Sequence, residues 1–445
     1  MTCSKTLAMK QERLKQGVWV RWGLKSAYIL AGIFCAVFFW AWEAGAQETG
    51  DGLVRVRTQD GATLALKRYR PGPQSPFRRQ GQPVILMPGM LGDFTEFDVH
   101  TPEGEVYRPS LEPGVAGLLS SDPYLRKDPM LAFSLSYALY SAGLDVWLAN
   151  YRGVGEPPYR STGASGYAID ELGVYDVPAA VRAVSQATGK HPVWVGHSMG
   201  ATMAFIYLEG ARFEENGHVM LDKELARERN TQESEEGLLG FIDLDGPVVP
   251  MGKTRGNSIV WPLLARRTFL GPLPDGVHLP MGTLSSIQGS GVLNPQNLDP
   301  EVARYLSARI EGVSTGVLAQ YQDAKTFGRL REDYQNGPEN ARRVFPGPPS
   351  PKDGYTDYSS GLGVISLPAF VAVSEGWSQS YPDRTRMFFD GKTKNPLDTI
   401  EIQPGTGHID LVMGKRAPLE LYPQIIAWLH RLMASGQVQG SPNQP

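Results

Sequence analysis

The segment "PVWVGHSMGATMAFIYLEGA" sets one serine, Ser198, between Gly196 and Gly200. This is the G-x-S-x-G pattern. Its chemistry is nucleophilic attack by a serine raised on a sharp strand-to-helix turn, which requires small neighbours on both sides. The apolar run before the motif reads as a strand and the segment after it as a helix, so the context fits. Ser198 is the candidate nucleophile for acyl transfer.

A serine hydroxyl is a weak nucleophile and needs a base. Among the seven histidines, His408 stands in "QPGTGHIDLVMG", just after a strand ending near Gln403. The surrounding glycines permit a loop that reaches back over the sheet, so His408 is the expected base. His430 falls in a terminal helix, and His197 reads as support for the turn. Acyl transfer also needs donors aimed at the oxyanion. The expected pair is the amide of Met199, directly after the nucleophile, and that of Met90 in "PGMLG" after an early strand.

The carboxylate that should orient the histidine has several candidates. Asp245, at the end of "IDLDGPVVP", ranks first, because it lies nearest the C-terminal edge of its strand, where sites gather. Glu375 ranks second, as the nearest acid after the strand "LPAFVAVS". Asp243, on the same face as Asp245, and Asp383 follow. Asp410 reads as a local organiser of the histidine loop.

These residues need a scaffold. "LVRVRTQDGATLALKRYRPG" alternates around Asp60-Gly61 and predicts a hairpin. "PVILM", "LDVWLAN", "PVWVGH", Gly237–Pro250, "LPAFVAVS" and "LDTIEIQ" read as strands. Between them, Asp128–Gly143, Asp170–Gly189 and the segment after Ser198 read as helices. The charged segment "RFEENGHVMLDKELARERNTQESEEG" reads as a solvated helix and loop. Alternation of strands and helices predicts an α/β fold with a mostly parallel sheet flanked by helices. From Val248 to about Ser366 the pattern gives way to Gly- and Pro-rich sequence with helical pieces. The expected organisation is a core over 47–247, a large cap insertion over 248–366, the rest of the core over 367–433, and a disordered tail over 434–445.

The N-terminus carries Lys5, Lys10, Arg13, Lys15, Arg21 and Lys25, then an apolar run from Ser26 to Trp42, then Ala44-Gly45-Ala46. That is the grammar of a secretory signal peptide over 1–46, with an uncleaved membrane anchor as the alternative. The expected location is secreted or periplasmic. Both cysteines, Cys3 and Cys35, lie in this leader, so no disulfide or thiolate–metal site is expected beyond it. The formal charge is −3, and losing six leader cations against two anions makes the chain more acidic. Nothing in that balance suggests nucleic-acid binding. No metal or cofactor is expected.

Taken together, these motifs resemble the acid lipase family of α/β-hydrolases, which includes gastric and lysosomal lipases. "PVILMPGMLGD" is similar to that family's oxyanion strand and loop, with Pro88 where the family usually has histidine. "SLSYALYSAGLDVWLANYRGVG", "AIDELGVYDVPAAVRAV", "STGVLAQYQDAKTFGRL" and "GHIDLVMGKRAPLELYPQIIAWL" resemble further family segments. The resemblance implies an α/β-hydrolase fold, with Ser198 as nucleophile, His408 as base and the Met90 and Met199 amides as oxyanion hole. The family's acid follows the strand equivalent to "LPAFVAVS", where this chain has no aspartate. "LDGPVVP" instead resembles pancreatic-type lipases, whose acid follows the strand after the nucleophile helix. The expected activity is hydrolysis of carboxylic esters of apolar acyl groups, with an ester or lipid as substrate and contact with a membrane or lipid interface. An amidase or thioesterase on the same triad, and an anchored binding protein without the chemistry, are the alternatives.

Overall fold

The Asp60-Gly61 turn folds Leu53–Arg57 (β1) against Thr63–Tyr69 (β2) as an antiparallel hairpin, with Gly61 at the positive φ that the turn requires. The computed structural model describes residues 47–48, 52–249, 292–333, 354–376 and 381–439, apart from positions 73, 74, 76, 78, 120 and 164–166. The expected leader over 1–46, the parts 250–291 and 334–353 of the expected cap insertion, and the end of the expected tail, 440–445, lie outside the described residues.

Six further strands complete the frame: β3 (Pro83–Met87), β4 (Asp145–Asn150), β5 (Val193–His197), β6 (Gly240–Leu244), β7 (Ala369–Ser374) and β8 (Thr399–Gln403). Across the sheet they run β1-β2-β4-β3-β5-β6-β7-β8. The β2–β4 pairing is antiparallel, and every pairing from β4 to β8 is parallel. Strands β3 to β7 are buried along their whole length, which is why their sequences run apolar without alternation. From β3 the chain crosses to β4 on one side and later returns to β5 on the other. A crevice therefore opens at the carboxyl ends of β3 and β5, the usual place for a site in such sheets.

Helices cover both faces. Met199–Leu208 is buried on all sides, consistent with its apolar sequence all round. Val177–Thr188 stops at Gly189, whose φ of 66° provides a left-handed cap. In the C-terminal helix Ala417–Gln439, Tyr422, Ile425, Trp428, Leu429 and Leu432 pack with Val84, Leu86, Val195, Ile242 and Phe370 from the strands. No helix among the described residues is long and apolar enough to cross a membrane.

Several expected elements differ in detail. Asp128–Gly143 is two pieces, a 3-10 helix over Pro129–Phe133 and an α-helix over Leu135–Ser141. Ser134 separates them: its side chain accepts from the Tyr137 amide and starts a new helix. The helix before β5 contains a π-turn at Leu172–Asp176, just ahead of Pro178, which has no amide hydrogen for a regular turn. Strand β6 is shorter than Gly237–Pro250. The charged segment after Leu208 holds a small ribbon, Ala211–Phe213 with Val219–Leu221, besides its helix at Lys223–Arg229. The C-terminal helix continues through Ala434–Gln439, where a disordered tail was expected.

One buried ion cluster ties the frame together. Arg152, 1% exposed, follows β4. Its Nε and Nη2 donate to Asp176 Oδ1 at 2.8 and 2.6 Å, its backbone amide donates to Asp176 Oδ2, and Nη2 also reaches Asp60 Oδ1 at 2.9 Å. The cluster thereby joins the β1–β2 turn, the loop after β4 and the helix before β5. Arg152→Met leaves Asp176 as an uncompensated buried carboxylate. Denaturant titration should show a loss of ~3–5 kcal/mol, and a loss below about 1 kcal/mol would show that the cluster does not hold these loops.

Candidate active site

Ser198 follows β5 with φ 52° and ψ −118°, a backbone state that non-glycine residues rarely adopt and that costs on the order of 1–3 kcal/mol. The surroundings enforce it. The Ser198 amide donates to the Leu244 carbonyl at 3.0 Å, and the Ser198 carbonyl accepts from the amides of Ala201 and Thr202. The two glycines leave no room for side chains. A Cβ at Gly196 would lie 2.4 Å from the Ala201 nitrogen, and one at Gly200 would lie 2.2 Å from the Met87 carbonyl oxygen. Among these tightly buried neighbours Ser198 itself is only partly buried. Met199 is the first residue of its helix, so its amide has no partner one turn back within that helix and is available to an anion.

The loop Pro88–Gly92 leaves β3 and comes directly against this turn. A Cβ at Gly89 would sit 3.0 Å from Ser198 Cβ. Leu91 holds φ 69°, and the Gly92 amide donates back to the Gly89 carbonyl at 3.2 Å, so the loop is a tight turn with Met90 at its crest. The Leu91 carbonyl accepts from the Glu311 amide at 2.9 Å, which fastens the loop to the 292–333 segment.

His408 follows β8 on the loop that the glycines permit. Its ring is buried, and Nδ1 lies 2.8 Å from Asp245 Oδ2. Asp245 stands just past β6 at φ 56° and is fully buried. It also accepts from Ser374 Oγ at 2.6 Å and from the Ser374 amide at 3.2 Å, and Thr385 Oγ1 lies 3.4 Å from Oδ1. Burial pulls the His408 pKa below the ordinary histidine value; the neighbouring His197 adds to this, and Asp245 opposes it. His408 is therefore a neutral imidazole at neutral pH, the form that can take a proton.

The other acids stand elsewhere. Glu375 is exposed, and its backbone amide donates to the Gln403 carbonyl. Asp383 is exposed. Asp243 is fully buried, and its Oδ1 accepts from the Gly246 amide at 2.6 Å. Burial pushes its carboxyl well above the usual carboxylate range, and it holds the turn through that bond. Asp410 accepts from the amides of Gly407 and Asn294 and from Asn297 Nδ2, which organises the loop that carries His408. His430 lies on the surface against Gln80.

Sequence reasoning missed Ser374 and Thr385 as partners of Asp245. Ser374 ends β7, the strand after which the family resemblance would place the acid, and it donates to Asp245 from there. It also missed Glu96, whose carboxylate accepts from the Gly89 amide at 3.1 Å and pairs with His197. No pattern in the sequence announces either arrangement.

Residues 111–213 match a family model described as alpha/beta hydrolase fold. Human lipase member K is 32% identical over 411 residues, spanning 83% of this chain and 85% of that relative. The chain belongs to the acid lipase family of α/β-hydrolases. Human lysosomal acid lipase/cholesteryl ester hydrolase is 29% identical over 159 residues, and there the alignment spans 33% of the relative's length. Among solved structures, a thermophilic esterase from Thermogutta terrifontis aligns with a TM-score of 0.48 at 16% identity, covering 85% of this chain and 98% of its own.

The elbow makes a direct prediction. Gly200→Ala forces a methyl group onto the Met87 carbonyl and must displace β3 or the helix. Soluble yield and melting temperature should both fall, with a cost of about 3 kcal/mol, as for other overpacked sites. A variant that melts with the parent would show that the turn has slack.

Proposed function

We propose that this protein hydrolyses carboxylic esters of apolar acyl groups through an acyl-enzyme. Ser198 Oγ attacks the acyl carbonyl while His408 Nε2 takes its proton. Asp245, bonded to Nδ1, fixes the ring and stabilises the imidazolium. The Met90 and Met199 amides hold the tetrahedral oxyanion. His408 then gives its proton to the leaving alkoxide, and water repeats the two steps to release the acid and restore Ser198. The observation that carries this reading is the buried His408–Asp245 bond beside a strained, partly accessible serine. The names of the relatives support the ester class.

The insertion serves in this reading as a cap that shelters an apolar acyl pocket from water. Its described residues touch each wall of the crevice. Glu311 bonds the loop before Phe94 through its amide and accepts from the Gly155 amide, and the Val292 carbonyl accepts from the Ile409 amide. The leader directs the chain out of the cytoplasm, where it meets lipid or ester substrates.

A fluorophosphonate probe should label the parent and leave Ser198→Ala unlabelled. Labelling that survives the substitution, or none on folded parent protein, overturns the hydrolase and favours a binding role. A panel of p-nitrophenyl esters should favour longer acyl chains over acetate, and a preference for anilides or thioesters would reassign the substrate class. Asp245→Asn should lower kcat on the order of 10³–10⁴-fold, as loss of a triad carboxylate does. Glu375→Gln should leave kcat within about twofold, as an exposed group outside the chemistry would. The base works in its neutral form, and the His408 pKa is lowered by burial. The acid limb of kcat/KM should therefore fall below the ordinary histidine value of about 6.5. A midpoint above that value would place another group in the role.

A further inference from the structure

Beneath Ser198 lie two buried ionisable side chains that the acyl-transfer cycle does not use, Glu96 and His197. Glu96 ends the short 3-10 turn Phe94–Glu96, which Asp93 caps by accepting from the Thr95 amide. Glu96 is 8% exposed and His197 3% exposed. One oxygen of Glu96 accepts from the Gly89 amide at 3.1 Å, and the other pairs with His197 Nδ1. On its far side, His197 Nε2 lies 3.0 Å from the His408 carbonyl oxygen. A backbone carbonyl can only accept, so Nε2 carries a proton, and Glu96 at the other nitrogen raises the pKa of the ring against its burial. The His197 and His408 rings are 4.5 Å apart between centroids.

This chain of contacts spans three loops that carry different parts of the chemistry. It begins at the oxyanion loop, passes through the residue before the nucleophile, and ends at the backbone of the base. We propose that Glu96 and His197 form a positioning couple that locks the oxyanion loop and the His408 loop in register about Ser198. The proposal rests on the acyl-enzyme reading above. Neither residue touches the substrate. They act through Gly89 and His408, where displacement by an ångström costs much of the rate.

The couple also sets the electrostatics of the base. Glu96 faces His197 from the oxyanion side, and Asp245 and His408 face it from the other. His408 in turn faces Asp245, His197 and Glu96. Asp243 stands behind Asp245 with its carboxyl pushed up by burial, and Asp410 is turned to the Gly407 and Asn294 amides and to Asn297. Positive charge on His197 opposes protonation of His408. Removing it leaves the negative Glu96 and Asp245 to favour the imidazolium, so the acid limb of activity should move to higher pH.

The test compares the full-length parent with Glu96→Gln, His197→Gln, the double variant, Glu96→Asp and Ser198→Ala on a short p-nitrophenyl ester across pH. Each of the first two should lower kcat by about tenfold or more with KM held within about threefold. The double variant should fall no more than about twofold below the weaker single, because the two act as one unit. Glu96→Asp, which keeps the charge, should recover part of the loss. The acid midpoint of kcat/KM in His197→Gln should rise by about half a unit or more. Single losses that multiply in the double variant, or a kcat near the parent's with an unmoved midpoint, overturn the couple. So does loss of the folded state in every Glu96 and His197 variant by circular dichroism, because the pair would then serve stability alone. An active Ser198→Ala overturns the acyl-enzyme reading and the couple with it. An inactive Ser198→Ala beside an unaffected Glu96→Gln overturns the couple alone.

Discussion

The hydrogen bond between His408 and Asp245, 2.8 Å long and wholly buried, is the contact on which the crevice is organised. Its two ends come from the edges of different strands, and 163 residues of chain separate them. The bond needs β6 and β8 to flank β7 in one parallel sheet. It also needs Asp245 to leave β6 at a positive φ, and the loop after β8 to fold back over the sheet edge. Each of these requirements is met by something specific. The registers of β7 with its two neighbours place Ala372 level with both Leu244 and Glu401. Ser374 grips Asp245 from β7, and Asp410 and the two asparagines hold the returning loop.

A buried carboxylate is costly unless its oxygens are occupied. Asp245 has three side-chain neighbours and a backbone donor, whereas Asp243, two residues earlier on the same face, has one backbone donor and a carboxyl pushed well above the usual range by burial. The pair illustrates how environment separates two like residues into different roles. The same logic governs the two histidines. Burial, and then the neighbouring His197, lower the His408 pKa against the pull of Asp245. His197 meets a carboxylate and a carbonyl, and Glu96 outweighs the burial that would otherwise lower it.

Strain and tight packing meet at one turn. Ser198, Leu91 and Asp245 are the non-glycine residues at positive φ among the described residues. All three stand at the carboxyl ends of β5, β3 and β6, around the same crevice. Conformations of this kind persist only where the surroundings over-determine them. Here that role falls to the glycines at 196 and 200, the ladder through Leu244 and the Glu311 amide on Leu91. The buried Arg152 cluster anchors the loop that follows β4 from the other side.

Much of this was legible in the sequence. The sharp turn at Ser198, the strand-and-helix alternation and the glycine-flanked histidine are local patterns, because a period-two apolar run or a glycine at a forced turn constrains only its own neighbourhood. The carboxylate that meets His408 was not local in this sense. Asp245 and Glu375 both follow buried strands, and chain order alone left both open. The registry of three strands and the hydroxyl of Ser374 bring Asp245 to the histidine, while Glu375 turns to solvent. The Glu96–His197 pair was invisible for the same reason, since its meaning lies in contacts across loops far apart in the chain. The sequence by itself determined where a sharp turn, a strand or a returning loop would form, through steric rules acting over a few residues. Only the tertiary structure decided which charges meet in the low-dielectric interior, because that depends on which strand edges are neighbours in space.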